Sequence, residues 1–117
     1  MRVARLHTVT VIVACACSPH RVSSAELVTA LEGTGLHVEK RADVEAKPEW
    51  VGAEVGVDLV LDYEETYRGV RFASANFARG YCQEGQAGVP VGCWCLEPVG
   101  HSPKQDVWNK VNLLRTR

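Results

Sequence analysis

Val57-Asp58-Leu59-Val60-Leu61-Asp62-Tyr63 is the segment on which the fold class turns. Side chains alternate across a strand, so Asp58, Val60 and Asp62 share one face and Val57, Leu59, Leu61 and Tyr63 the other. Downstream, Glu64-Glu65-Thr66-Tyr67-Arg68-Gly69 reads as a turn and Val70-Arg71-Phe72 as the returning strand. Upstream, residues 41–56 hold Pro48, Gly52 and Gly56 and read as a loop, with a short strand near Trp50-Val51. Before that loop, Leu36-His37-Val38-Glu39-Lys40 alternates and reads as another strand.

Two helices frame this hairpin. Ser24 is placed to cap a helix over Ala25 to Glu32, with Leu27, Val28 and Leu31 on one side. Gly33-Thr34-Gly35 ends it, because glycine accepts the left-handed terminal conformation. Ser74 caps a second helix reaching about Gln83, with Phe77 and Tyr81 stacked four apart and Ala78 and Cys82 in the adjoining row. Gly92-Cys93-Trp94-Cys95-Leu96 reads as a strand, and Val107 to Leu114 as the closing one. The order predicts an α+β fold over residues 24–117, a two-layer sandwich of a small, mostly antiparallel sheet with two helices on one face.

The start of the chain reads differently. Met1-Arg2-Val3-Ala4-Arg5 is short and basic, the residues from Leu6 to Ala14 are mainly apolar, and small residues precede a cysteine. That layout fits a secretory signal, and nine residues are too few to span a bilayer, which takes about 20. Ile12-Val13-Ala14-Cys15 resembles the lipobox of bacterial lipoproteins. The resemblance implies that residues 1–14 are a removed signal peptide and that Cys15 becomes the acylated first residue. Residues 15–23 would then form the tether. Ala14-Cys15-Ala16-Cys17 offers Cys17 as the alternative acylation site. By the same resemblance, Ala16 is not an aspartate retention signal, which favours the outer membrane facing the periplasm. The competing reading makes residues 6–15 the first strand of a cytoplasmic interaction or inhibitor protein of the immunity type, since Thr8 to Val13 is rich in β-branched residues.

Removing residues 1–14 leaves 103, enough for one domain with its own core. The formal charge of −1 falls to −3 once Arg2 and Arg5 leave. Asp43, Glu45, Glu49, Glu54, Asp58, Asp62, Glu64 and Glu65 face only Lys47 between positions 43 and 65. Such a block opposes phosphate, so nucleic acid is not the expected partner.

Of the five cysteines, acylation of Cys15 leaves Cys17, Cys82, Cys93 and Cys95, an even number suited to disulfides in an oxidising compartment. Cys82 with Cys93 or Cys95 is the expected bridge, because Cys93 with Cys95 would strain one strand. A metal site from Cys82, Cys93, Cys95 and His101 is the alternative, although the spacing lacks the two-residue knuckle of most structural zinc sites. Neither a Gly-x-Ser-x-Gly motif nor a phosphate-binding glycine loop occurs. No nucleophile, base and orienting group assemble, and no cofactor is implied. The expected role is therefore binding or scaffolding of another envelope protein by a lipid-anchored domain, not catalysis. Trp50, flanked by Glu49 and Glu54, is the expected exposed contact with that partner.

Overall fold

The computed structural model describes residues 24–84, 88–100 and 103–116. The expected signal peptide, the tether with Cys15 and Cys17, and His101 lie outside the described residues. The described elements are α1 (Ser24–Glu32), β1 (Val38–Glu45), β2 (Ala53–Leu61), β3 (Glu65–Phe72), α2 (Ala75–Glu84), β4 (Val89–Val91), β5 (Trp94–Pro98) and α3 (Gln105–Asn112). The strands form one antiparallel sheet in the order β1-β2-β3-β5-β4. The expected α+β class is what the chain adopts.

The alternation read in Val57 to Leu61 sets the two faces of the sheet. Val57, Leu59 and Leu61 join Tyr67 of β3 and Trp94 and Leu96 of β5 in one buried cluster, closed by Leu27 and Leu31 of α1 and Val107 and Val111 of α3. Val70 and Phe72 of β3, with Cys95 of β5, join Trp50 and Ala78 and Cys82 of α2 in a second cluster. The two helices expected on one face thus contribute to different clusters, and the sheet is packed on both sides.

Three expectations are corrected. Val107 to Leu114 holds a helix, not a closing strand: Val107 and Val111 are four residues apart and both fully buried, a helical spacing. β1 runs on to Glu45, through residues read as loop, and pairs Glu45 with Val55. Its exposed, charged residues carry no apolar alternation, as suits an edge strand guarded by charge and by a register shift near Arg41. Tyr63 is not a strand residue but lies in a turn, and β3 begins at Glu65 inside the expected turn.

The second helix starts as read, with the Phe77 N–H donating to Ser74 Oγ at 3.3 Å. Phe77 and Tyr81 do not share a stack. Tyr81 packs on Phe72 at 5.2 Å, and Phe77 lies over Gly52 and is more than half exposed. Ala78 and Cys82 are the buried row.

Candidate functional site

Among the described residues, the tip of the β2–β3 hairpin gathers the only non-glycine positive-φ backbone and the most exposed of the large aromatic rings. Asp62 and Tyr63 both have positive φ, 49° and 69°. That is the requirement at both central positions of the tight hairpin turn that Asn-Gly usually fills. Asp62 tolerates it as a short polar residue, but Tyr63 does not do so readily, and such strain persists where surrounding contacts hold it. Those contacts are present. The His37 N–H donates to Asp62 Oδ1 at 2.8 Å, and the Asp62 N–H donates to the His37 carbonyl at 2.8 Å. The His37 and Tyr63 rings stack at 4.0 Å, 11° from parallel, with Tyr63 71% exposed. Next to the turn, the Lys104 N–H donates to Glu65 Oε1 and its ammonium pairs with Glu64 at 2.6 Å. The Glu64 carboxylate accordingly raises the pKa of Lys104, first through its hydrogen bond. Asp62, Glu64 and Glu65 against Lys104 leave the tip acidic. A ring of this kind, apolar in body and polar at its hydroxyl, is thus held rigid and exposed in an acidic rim.

A second polar group crosses the face that α2 covers in part. Asp58 of β2, Arg68 of β3 and Glu97 of β5 stand in one cross-strand row. Arg68 donates to both Asp58 oxygens, at 2.8 and 3.2 Å, and this forked bond raises its pKa. The Tyr81 hydroxyl donates to Glu97 Oε1 at 3.2 Å, while Glu97 Oε2 is buried with no hydrogen-bond partner. Burial pushes the Tyr81 hydroxyl up to about 12, with Glu97 adding to the shift. Burial also raises the Glu97 carboxyl, against the pull of Tyr81 and Arg68.

The row has a pH consequence of definite sign. The fold favours protonated Glu97, so its stabilising contribution is complete below the ordinary value of 4.5 and is lost as pH rises through the higher folded value. Glu97→Gln keeps an acceptor for Tyr81 and removes the charge. The stability of the variant relative to the parent should therefore climb as pH rises above about 4.5. Urea unfolding at pH 4 and pH 7 measures it, and a difference that does not change with pH would contradict the burial of this charge.

The structure corrects the expected contact residue. Trp50 is 7% exposed and packs against Gly56, where an added Cβ would meet the ring at 3.0 Å. Lys47 Nζ stands 5.4 Å and Arg68 Cζ 5.8 Å from the ring, a pair of cation–π contacts. The reason is local: Trp50 sits in the turn before β2, and Gly56 opens the space its indole fills. Glu49 and Glu54 are exposed, but Glu54 pairs with the buried Arg71. The acidic block is likewise compensated in part, since Asp43, Asp58 and Glu64 also pair with Lys40, Arg68 and Lys104. Val51 and Phe77, 78% and 56% exposed, are the apolar residues at the surface here.

Cys82 of α2 and Cys95 of β5 form a disulfide with Cα atoms 5.8 Å apart, one of the two pairings expected. It fills its site closely, because a Cβ on Gly88 would meet Cys95 Sγ at 2.8 Å and Cys82 Sγ at 3.1 Å. Cys93 is disulfide-bonded as well. The alternative metal site loses its ligands to these bonds, since a thiolate is what binds zinc. Among the described residues no group of three or more His, Cys, Asp or Glu is placed to hold a metal. Nor is any helix among them long and apolar enough to cross a membrane. Comparison with protein-family models, with curated proteins and with solved structures gives no match.

Proposed function

We propose that this chain is a small envelope lipoprotein, acylated at Cys15, whose domain binds another envelope protein through the β2–β3 hairpin tip. The observation that carries the binding surface is Tyr63: 71% exposed, at a positive φ and stacked on His37. Folding alone would be served better by glycine at this position, so the ring has a use outside the fold. The acidic rim suits a partner with a basic face, and such charges mainly raise the association rate. Anchoring rests on the lipobox-like Ile12-Val13-Ala14-Cys15.

Replacing Asp62-Tyr63 by Asn-Gly separates binding from folding. The variant loses the ring stack, worth roughly 0.5–1.5 kcal/mol, and sheds left-handed strain of roughly 1–2 kcal/mol at Tyr63. Its stability should stay within about 1 kcal/mol of the parent, while the immobilised variant no longer retains from envelope extract the protein that the parent retains. Raising salt should weaken the parent's capture in the same way. Equal retention by parent and variant would exclude the tip as the contact.

A further inference from the structure

We propose that β1 pairs antiparallel with β1 of a second copy of this chain, across a two-fold axis that joins the two sheets into one. The pairing is independent of the hairpin tip and of the lipid anchor. β1 ends the sheet order, so among the described residues no strand lies beyond it. Glu39 to Asp43 are all exposed, so neither helix layer covers this stretch of the strand.

The ladder shows which backbone groups point outward. The Asp62 N–H bonds the His37 carbonyl, and hydrogen-bonded and non-bonded pairs alternate along an antiparallel ladder. Counted from there through the register, Glu39, Ala42 and Val44 bond inward to Val60, Asp58 and Gly56. Val38, Lys40, Asp43 and Glu45 therefore turn their N–H and C=O groups outward. Arg41 is the extra residue of the bulge between Lys40 and Ala42. Residues three apart in a regular strand lie on opposite faces. Here the bulge sets Lys40 opposite Leu59 and Asp43 opposite Val57, on one face, and their side chains pair at 3.0 Å.

That shared face makes the strand complementary to itself. With the axis between Arg41 and Ala42, Lys40 of each copy stands opposite Asp43 of the other, two pairs of opposite charge. Val38 falls opposite Glu45 and Glu39 opposite Val44, so no like charges meet and every pair shares a face. Other registers fail. One residue toward the tip, Lys40 would meet Arg41; one residue away, Ala42 would meet Asp43 from the opposite face. The charges and the bulge that turn away an unrelated strand thus admit this one. A single pair of strands is a small contact, so the dimer is a weak one.

Sedimentation equilibrium of the full chain in density-matched detergent gives the dimer constant, and amide exchange in dilute and concentrated samples gives the place of contact. The Lys40 and Asp43 N–H groups should exchange more slowly in the concentrated sample. Lys40→Asp and Asp43→Lys each set like charges opposite one another twice, and each should weaken self-association by about tenfold or more. Both side chains are exposed, so both variants fold. Mixed one to one, the two variants should associate with each other, because each offers the charge that the other lacks. A chain that stays monomeric at every concentration, or a dimer constant unchanged in both variants, would overturn the proposal. Slowed exchange at Tyr63 with none at Lys40 would also overturn it and move the contact to the hairpin tip.

Discussion

Trp50→Ala should destabilise the domain by about 3–5 kcal/mol, the usual loss for truncating a large buried aromatic. The indole is a member of the second buried cluster, and a Cβ at Gly56 would meet it first, at 3.0 and 3.2 Å. Truncation leaves a cavity over Gly56 and strips Lys47 and Arg68 of their aromatic partner. Against a typical total of about 5–15 kcal/mol, that loss is large enough to unfold a fraction of the protein at physiological temperature. Urea unfolding with circular dichroism measures it. A loss under about 1 kcal/mol would mean that the ring is a surface residue, as its acidic surroundings in the sequence had implied.

The Cys82–Cys95 bond should have an effect of similar size. It closes a loop of sequence separation 13 and joins the second helix to the fifth strand. The loop-entropy relation gives about 3 kcal/mol for a loop of this length, and replacing both cysteines by Ala should cost about that much. Alanine is the fitting choice, since a serine hydroxyl at these buried positions would go unpaired. Gly88→Leu should bring the parent down by a comparable route, because a side chain there runs into both sulfurs. Chemical denaturation without reductant separates these variants from the parent. An unchanged midpoint in the double Ala variant would place the bond outside the folded core.

The physics of the sequence explains which features were legible. The Val57–Leu61 part of β2 was readable because its alternation sorts Val57, Leu59 and Leu61 onto one face, and α1 and α2 because Ser24, Ser74 and the Gly33-Thr34-Gly35 stop are local signals; Ala53 to Gly56, read as loop, also belong to β2. Strand β1 was only half readable, since Glu39 to Asp43 are exposed and hold their place by pairing with β2. Helix α3 was misread because the short run from Val107 to Leu114 fits either period, and only contact with Leu27 and Leu31's cluster selects the helical one. The hairpin tip was invisible for a sharper reason. Asp62-Tyr63 lacks the glycine that marks such turns, and its holding contacts come from His37 and Lys104, 25 and about 40 positions away. Trp50 shows the reverse case: its neighbours in sequence are acids, yet its neighbours in space are Gly56, Lys47 and Arg68.

The proposed anchor also bears on how the binding surface would be presented. Lys104 at the start of α3 holds both Glu64 and Glu65, so the acidic tip is braced from the helix layer as well as from His37. A braced tip loses little freedom on docking, which favours affinity from a small contact. Lipid anchoring would confine that tip to a layer near the membrane and raise its effective concentration for a partner in the same layer.

The intact mass of the chain isolated from its host membrane tests the anchored-binder reading most directly. A mature chain that begins at Cys15 and carries acyl groups is the predicted result. A full-length chain with an unmodified Met1 would contradict it and favour the cytoplasmic reading, in which residues 6–15 belong to the fold.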